Sequence, residues 1–141
     1  MLDASYCIEA KPVPASRPRV SRNGGVFYNK TYTAYRGVLD KFFQASGVPE
    51  TLKVPVEVRI LCVMPRYSTS DYPTYRADVD NLAKPAMDAM TKWQFWEDDN
   101  LVVSLVTLKR FCRDGEKPHT KLRIIELTEN VEDYIDRQFQ A

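Results

Sequence analysis

Val54-Pro55-Val56-Glu57-Val58-Arg59-Ile60-Leu61-Cys62-Val63-Met64 is the stretch that decides the fold. Successive side chains of an extended strand point to opposite sides, so Val54, Val56, Val58, Ile60, Cys62 and Met64 share one face. Glu57 and Arg59 share the other face with Leu61 and Val63. A strand whose second face is also half apolar is covered on both sides, which makes 54–64 a central strand. Upstream, Tyr32, Tyr35, Val38, Leu39, Phe42 and Phe43 recur at helical spacing, predicting a helix from Thr31 to about Ser46 that Gly47 stops. Residues 3–11 read as a first strand ending at Pro12 and Pro14, and Asn23-Gly24-Gly25 as the turn of a short hairpin.

Downstream, a polar loop from Arg66 to Tyr75 leads into a helix ending near Trp93. Leu101 to Cys112 is β-rich, Asp114-Gly115 is a turn, and His119 to Leu127 is expected to pair back as a hairpin. From Glu129, Val131, Tyr134, Ile135 and Phe139 form a helical stripe opposite acidic residues. The order predicts an α+β fold: a single domain over 1–141, a mixed β-sheet with two main helices, and 128–141 as an appended C-terminal helix.

A chain of 141 residues with 44% apolar and 28% charged side chains is long enough for a real core and too ordered in composition for a disordered segment. No apolar run approaches the roughly 18 residues of a membrane helix, so no membrane partner is expected. Cys7, Cys62 and Cys112 are odd in number, far apart and set in strand-like segments. That excludes a disulfide framework or a zinc site and reads as small core residues in a reducing cytoplasm.

The chemistry gathers in Arg76-Ala77-Asp78-Val79-Asp80-Asn81-Leu82-Ala83-Lys84-Pro85. Proline deep in a helix costs about 3 kcal/mol but little in the first turn, so the helix is expected to begin near Asn81 to Lys84. Asp78 and Asp80 would then precede it in extended chain, two apart and facing one way. A second pair, Asp98-Asp99, sits where the Phe95-Trp96-Glu97 turn opens into the next strand. If the two ends meet, carboxylates about 4 Å apart repel by roughly 4 kcal/mol at an effective dielectric near 20. Protonation or a hard divalent ion, Mg²⁺ or Mn²⁺, relieves that repulsion. The same aspartates also suit helix capping and turns, and spacing alone leaves both roles open.

These residues resemble the RusA family of crossover-junction endodeoxyribonucleases. The resemblance rests on Arg76-x-Asp78-x-Asp80-Asn81-Leu82-x-Lys84, then Asp88-Ala89-Met90-Thr91, then Phe95-Trp96-x-Asp98-Asp99; Pro14-Ala15-Ser16-Arg17-Pro18-Arg19 resembles the opening of its phage-type branch. It implies a homodimeric, Mg²⁺-dependent nuclease (Mn²⁺ substituting) that resolves four-way DNA junctions by paired symmetric nicks. The setting implied is a bacterial cytoplasm, with the gene carried by host, prophage or phage. By position it makes Asp78, Asp80 and Asp99 the metal-binding catalytic carboxylates, Lys84 the essential lysine and Asp98 the companion acid. The chain departs from the family in Pro85, in the long 66–75 loop and in the helix after Thr128. Another metal-dependent nuclease acting on flaps or single strands, and a silent DNA-binding regulator, are the alternative readings.

The net charge of +1 is a cancellation. Lys11, Arg17, Arg19, Arg22, Lys30 and Arg36 lie between Ala10 and Leu39 with no acid among them, while Glu126, Glu129, Glu132, Asp133 and Asp136 crowd the tail. Tyr28, Tyr32 and Tyr35 are interleaved with the cations. Lys and Arg neutralise phosphates and release counterions, so Arg17, Arg19, Arg22, Lys30 and Arg36 are candidate DNA contacts, with Arg76 and Lys92 as further ones. His119 lies far from the acidic motif and is expected to be structural or exposed rather than a general base.

Overall fold

The computed structural model describes residues 1–74 and 76–140; Tyr75, the expected end of the polar loop, and Ala141 lie outside the described residues. Among them the elements run β1 (Asp3–Ile8), β2 (Arg19–Val20), β3 (Val26–Phe27), α1 (Lys30–Ser46), β4 (Val56–Met64) and α2 (Val79–Lys92). There follow a 3-10 turn (Asp99–Leu101), β5 (Val102–Phe111), β6 (His119–Glu126) and α3 (Val131–Phe139). β1, β6, β4 and β5 form one mixed sheet in that spatial order, and β2 with β3 forms the small hairpin turned by Gly24. No described helix is long and apolar enough to cross a membrane.

β4 is central, as its two apolar faces require: it runs antiparallel to β6 and parallel to β5. Parallel neighbours need a crossover, and α2 supplies it between β4 and β5. The expected β5–β6 hairpin is therefore corrected. β4 occupies the slot between them, because Val56, Val58, Ile60 and Val63 lose solvent only with a strand on each side. β5 is left at the sheet edge with Val103, Leu105 and Leu108 exposed.

α1 and α2 cover one face of the sheet. Asn29 caps α1 by accepting from the Thr31 and Tyr32 amides, and Gly47, at a φ of 75°, closes it. Leu39 and Phe43 from α1 and Ala86, Ala89 and Met90 from α2 pack on Val56, Val58, Ile60 and Cys62. Asp40 ties the two helices together, accepting from Lys92 Nζ at 2.7 Å and Trp93 Nε1 at 3.0 Å. Truncating a fully buried phenylalanine such as Phe43 costs about 3–5 kcal/mol.

The opposite face carries a buried charge. Glu57, 2% exposed, accepts from Arg59 Nε at 3.1 Å, Ser104 Oγ at 3.1 Å and Tyr134 Oη at 2.5 Å. Tyr134 thereby docks α3, which Asn130 caps. The rest of its apolar stripe, Val131, Ile135 and Phe139, remains exposed rather than buried against the sheet. The cysteine expectation holds for Cys62 alone; Cys7 is exposed and Cys112 half-buried, because they lie on the edge strand β1 and just past the end of β5. Burial pushes the Cys62 thiol up to about 11, which keeps it protonated and unreactive.

Candidate active site

Pro85 does not set the start of α2. The helix begins at Val79, so Asp78 is its cap residue and Asp80 sits in the first turn rather than in extended chain. Proline is tolerated there because of a contact from outside the helix. Pro85 has no N–H to give the Asn81 carbonyl four residues back, and the Ala15 amide donates to that oxygen instead, at 2.7 Å. The substitute donor belongs to the arm that carries Arg17 and Arg19.

Asp78 makes no side-chain capping bond, and Asp80 and Asp99 make no side-chain hydrogen bond or ion pair among the described residues. All three are exposed and open to a ligand. Asp98 is partly occupied, accepting from the Asn100 amide at 2.9 Å as the cap of the 3-10 turn. Phe95 and Trp96, at 0% and 1% exposure, anchor the turn before it. Leu52 clamps the same turn by donating to the Phe95 carbonyl and accepting from the Glu97 amide.

Two cations stand at the Asp78 end. Lys84 lies 3.4 Å from Asp88, and Arg36 of α1 lies 3.7 Å from the same oxygen. Asp88 thus bridges α1 and α2 beside Lys84 and is not merely a helix-stabilising partner of it. The second cation, Lys109, was not singled out from the sequence. Its Nζ donates to the Ala77 carbonyl at 2.5 Å and fixes the backbone just ahead of Asp78. The signal for it is a lysine on the strand face otherwise occupied by Leu105, Thr107 and Phe111, where a charge needs a partner. Arg76 has a φ of 80°, a conformation uncommon outside glycine, and its guanidinium lies over the Tyr67 ring, 5.0 Å from the centroid. Tyr67 in turn packs edge-on against Phe111.

The two acidic ends do not meet within one chain. Asp78 and Asp80 open α2 beside Lys109, near the end of the parallel strand pair. Asp98 and Asp99 follow α2 and precede β5, whose Val102 pairs with Val56 at the start of β4. α2 is fourteen residues long, about 21 Å at 1.5 Å per residue, with Asp78 and Asp80 at its start and Asp98 and Asp99 beyond its end. Among the described residues no three His, Cys, Asp or Glu side chains cluster closely enough to hold a metal ion. The donor set is all carboxylate and suits a hard divalent cation, but one chain brings only Asp78 and Asp80 to one end.

Of the candidate DNA contacts, Arg17, Arg19 and Lys30 are exposed, and Arg22 projects from the β2–β3 turn, also exposed. Val20, Val26 and Phe27 are exposed on the same hairpin. Arg36 is more engaged: besides Asp88, it donates to Tyr32 Oη at 3.2 Å. Lys92 is in its ion pair with Asp40. His119 is buried at the start of β6, with Nδ1 2.8 Å from the Lys117 carbonyl oxygen.

Residues 9–125 match the family described as endodeoxyribonuclease RusA, and the chain belongs to that family. It is similar to a protein of Escherichia coli O139:H28 named crossover junction endodeoxyribonuclease RusA, 36% identical over 118 residues, or 82% of this chain and 91% of that one. It is also similar to the like-named proteins of Enterobacteria phage 82 and Shigella sonnei, each 34% identical over 119 residues, or 83% of this chain and 88% of theirs. The matched segment ends before α3.

Proposed function

We propose that this chain is a Mg²⁺-dependent endodeoxyribonuclease that resolves four-way (Holliday) DNA junctions by paired symmetric nicks, acting as a homodimer encoded by a bacterium or its phage. The observation that carries the reading is membership of the RusA family combined with exposed Asp78, Asp80 and Asp99, whose side chains have no hydrogen-bond or ion-pair partner among the described residues.

Asp78, Asp80 and Asp99 are the residues that would hold the ion, with Asp98 beside them. When bound, Mg²⁺ supplies an acidified water and offsets charge on the phosphate. The chain's own groups do the rest. Lys84, exposed in the second turn of α2, contacts the scissile phosphate and meets its developing charge. Asp88 holds that lysine on one side, and Lys109 fixes the Ala77 peptide so that Asp78 is presented in one position. Arg17 and Arg19 grip the phosphate backbone, and Arg22 and Lys30 extend the grip along the hairpin. Bound to Asn81 through Ala15, the arm sets its phosphates at a constant offset from the acidic end. The apolar hairpin tip of Val20, Val26 and Phe27 suits the unstacked centre of a branched DNA.

The test is cleavage of labelled four-way, flap and single-stranded DNA, with Mg²⁺ or with a chelator. The expected result is Mg²⁺-dependent paired nicks on the four-way junction and little on the other two. Preferential cutting of flaps or single strands would replace junction resolution with the broader nuclease reading. Binding without any cutting would favour a silent DNA-binding protein.

A further inference from the structure

The polar loop between β4 and α2 holds its base still and keeps one ring out in solvent. We infer that Tyr72 is a base-stacking residue: its ring lies on an unstacked base beside the Asp78 end of α2 and favours branched over continuous duplex DNA. This rests on the reading of the chain as a nuclease of branched DNA.

Arg66 fixes the outgoing limb of the loop. Its Nη1 donates to the Ser68 carbonyl at 3.1 Å and to the Ser70 carbonyl at 3.2 Å, and its guanidinium lies 4.7 Å from the centroid of the Phe111 ring. Phe111 is buried at the end of β5, and Tyr67 packs edge-on against it at 4.9 Å. Arg76 lies over the face of Tyr67, so cations and rings alternate from one limb of the loop to the other. Next to Tyr72, Pro73 is buried, and the Thr74 amide closes a tight turn on the Tyr72 carbonyl at 3.0 Å. The proline ring fixes its own φ and narrows the backbone choices of Tyr72 before it. Tyr72 itself is 74% exposed, and among the described residues its side chain has no ring contact and no hydrogen bond.

An exposed side chain on an ordered backbone loses little freedom on binding, so its contact area converts well into affinity. The loop offers no grip for phosphates. Ser68 to Thr74 contains Asp71 and no lysine or arginine, and Arg66 is engaged on carbonyls and a ring. What the tip presents is an aromatic face, and every base has a face to stack on it. Bases of a continuous duplex are already stacked on each other, and taking one out is cheapest where pairing is interrupted, as at a branch. The ring is also within reach of the reaction. Tyr72 stands six residues before Asp78, at most about 20 Å of extended chain, or about six base steps of 3.4 Å along a strand. The bond from Ala15 to Asn81 brings the Arg17 and Arg19 arm to the same end of α2, so backbone grip and ring address one stretch of DNA.

The experiment compares wild type, Tyr72→Ala and Tyr72→Phe for binding to a labelled four-way junction and to continuous duplex of the same length, in chelator so that binding is read without cutting. Tyr72→Ala should bind the junction about fivefold to a hundredfold more weakly, the loss of one base–aromatic stack. Its duplex affinity and its salt slope should not change, because no phosphate contact is removed. Tyr72→Phe keeps the ring and should bind as wild type does. In parallel, 5-iodouracil placed singly at each position within about six bases of the branch is irradiated in the complex. At one of these positions it should crosslink to the peptide carrying Tyr72, identified by mass spectrometry. Unchanged junction affinity in Tyr72→Ala, an equal loss on junction and duplex, or crosslinks that never reach Tyr72 would overturn the inference. A wild type that binds and crosslinks as expected yet cuts nothing with Mg²⁺ keeps the stacking role and removes the nuclease reading.

Discussion

Tyr134→Phe removes one oxygen from the docking of α3 and leaves Glu57, 2% exposed, with Arg59 and Ser104 as its remaining donors. A hydrogen bond to a charged group is worth about 1.5–3 kcal/mol net, and the half-buried tyrosine puts this one toward the lower end, about 1.5–2 kcal/mol. For a domain of this size one kcal/mol moves the melting temperature by about 3–5 °C, so the variant should melt roughly 5–10 °C lower at neutral pH. Burial raises the Glu57 carboxyl, but the bonds from Tyr134, Arg59 and Ser104 outweigh it and hold the group below its usual value. A lowered folded value means that the stabilisation is complete above the unfolded value of about 4.3 and is lost as pH falls through the folded one. The gap between wild type and Tyr134→Phe should therefore be full near neutrality and narrow below about pH 4. Scanning calorimetry across that range measures it. A gap under about 1 °C at neutral pH would show that Tyr134 does not hold the charge. A gap that persists unchanged in acid would assign the loss to packing instead.

Two further outcomes concern the DNA site. Arg17→Ala combined with Arg19→Ala should weaken junction binding and flatten its salt dependence by about 1.8 in log–log slope, at about 0.9 per phosphate contact, while Mn²⁺ binding is unchanged; an unaltered slope removes the arm from the interface. Lys109→Met withdraws the donor on the Ala77 carbonyl, a loss of about 1–3 kcal/mol for a poorly solvated acceptor. It should lower nicking at saturating DNA far more than it lowers DNA affinity, and equal falls in both would make Lys109 merely structural.

What could be read from the residues, and what could not, follows from the range of each interaction. β4 was legible as central because its two apolar faces are a local pattern, and α1 was legible in its apolar spacing, with Gly47 marking its end. The start of α2 was misplaced because the rule for proline counts donors within the helix, and here the missing donor comes from Ala15, far away in sequence. The β5–β6 hairpin was expected because neighbours in sequence usually pair. The insertion of β4 depends on the total apolar area of the sheet, which no window of sequence contains. Spacing and resemblance single out Asp78, Asp80, Asp98 and Asp99 as candidates, yet spacing could not tell that α2 holds the pairs apart. Lys109 was missed because its partner is a backbone carbonyl, which leaves no complementary side chain to notice.

Whether these aspartates cut DNA junctions with a divalent ion is read from denaturing-gel mapping of nicks on a four-way junction, comparing wild type and Asp80→Asn with and without Mg²⁺. Symmetric, Mg²⁺-dependent nick pairs are expected from the wild type, and junction binding without nicks from Asp80→Asn. Nicking by Asp80→Asn at the wild-type rate, or wild-type nicking in chelator, would contradict that role.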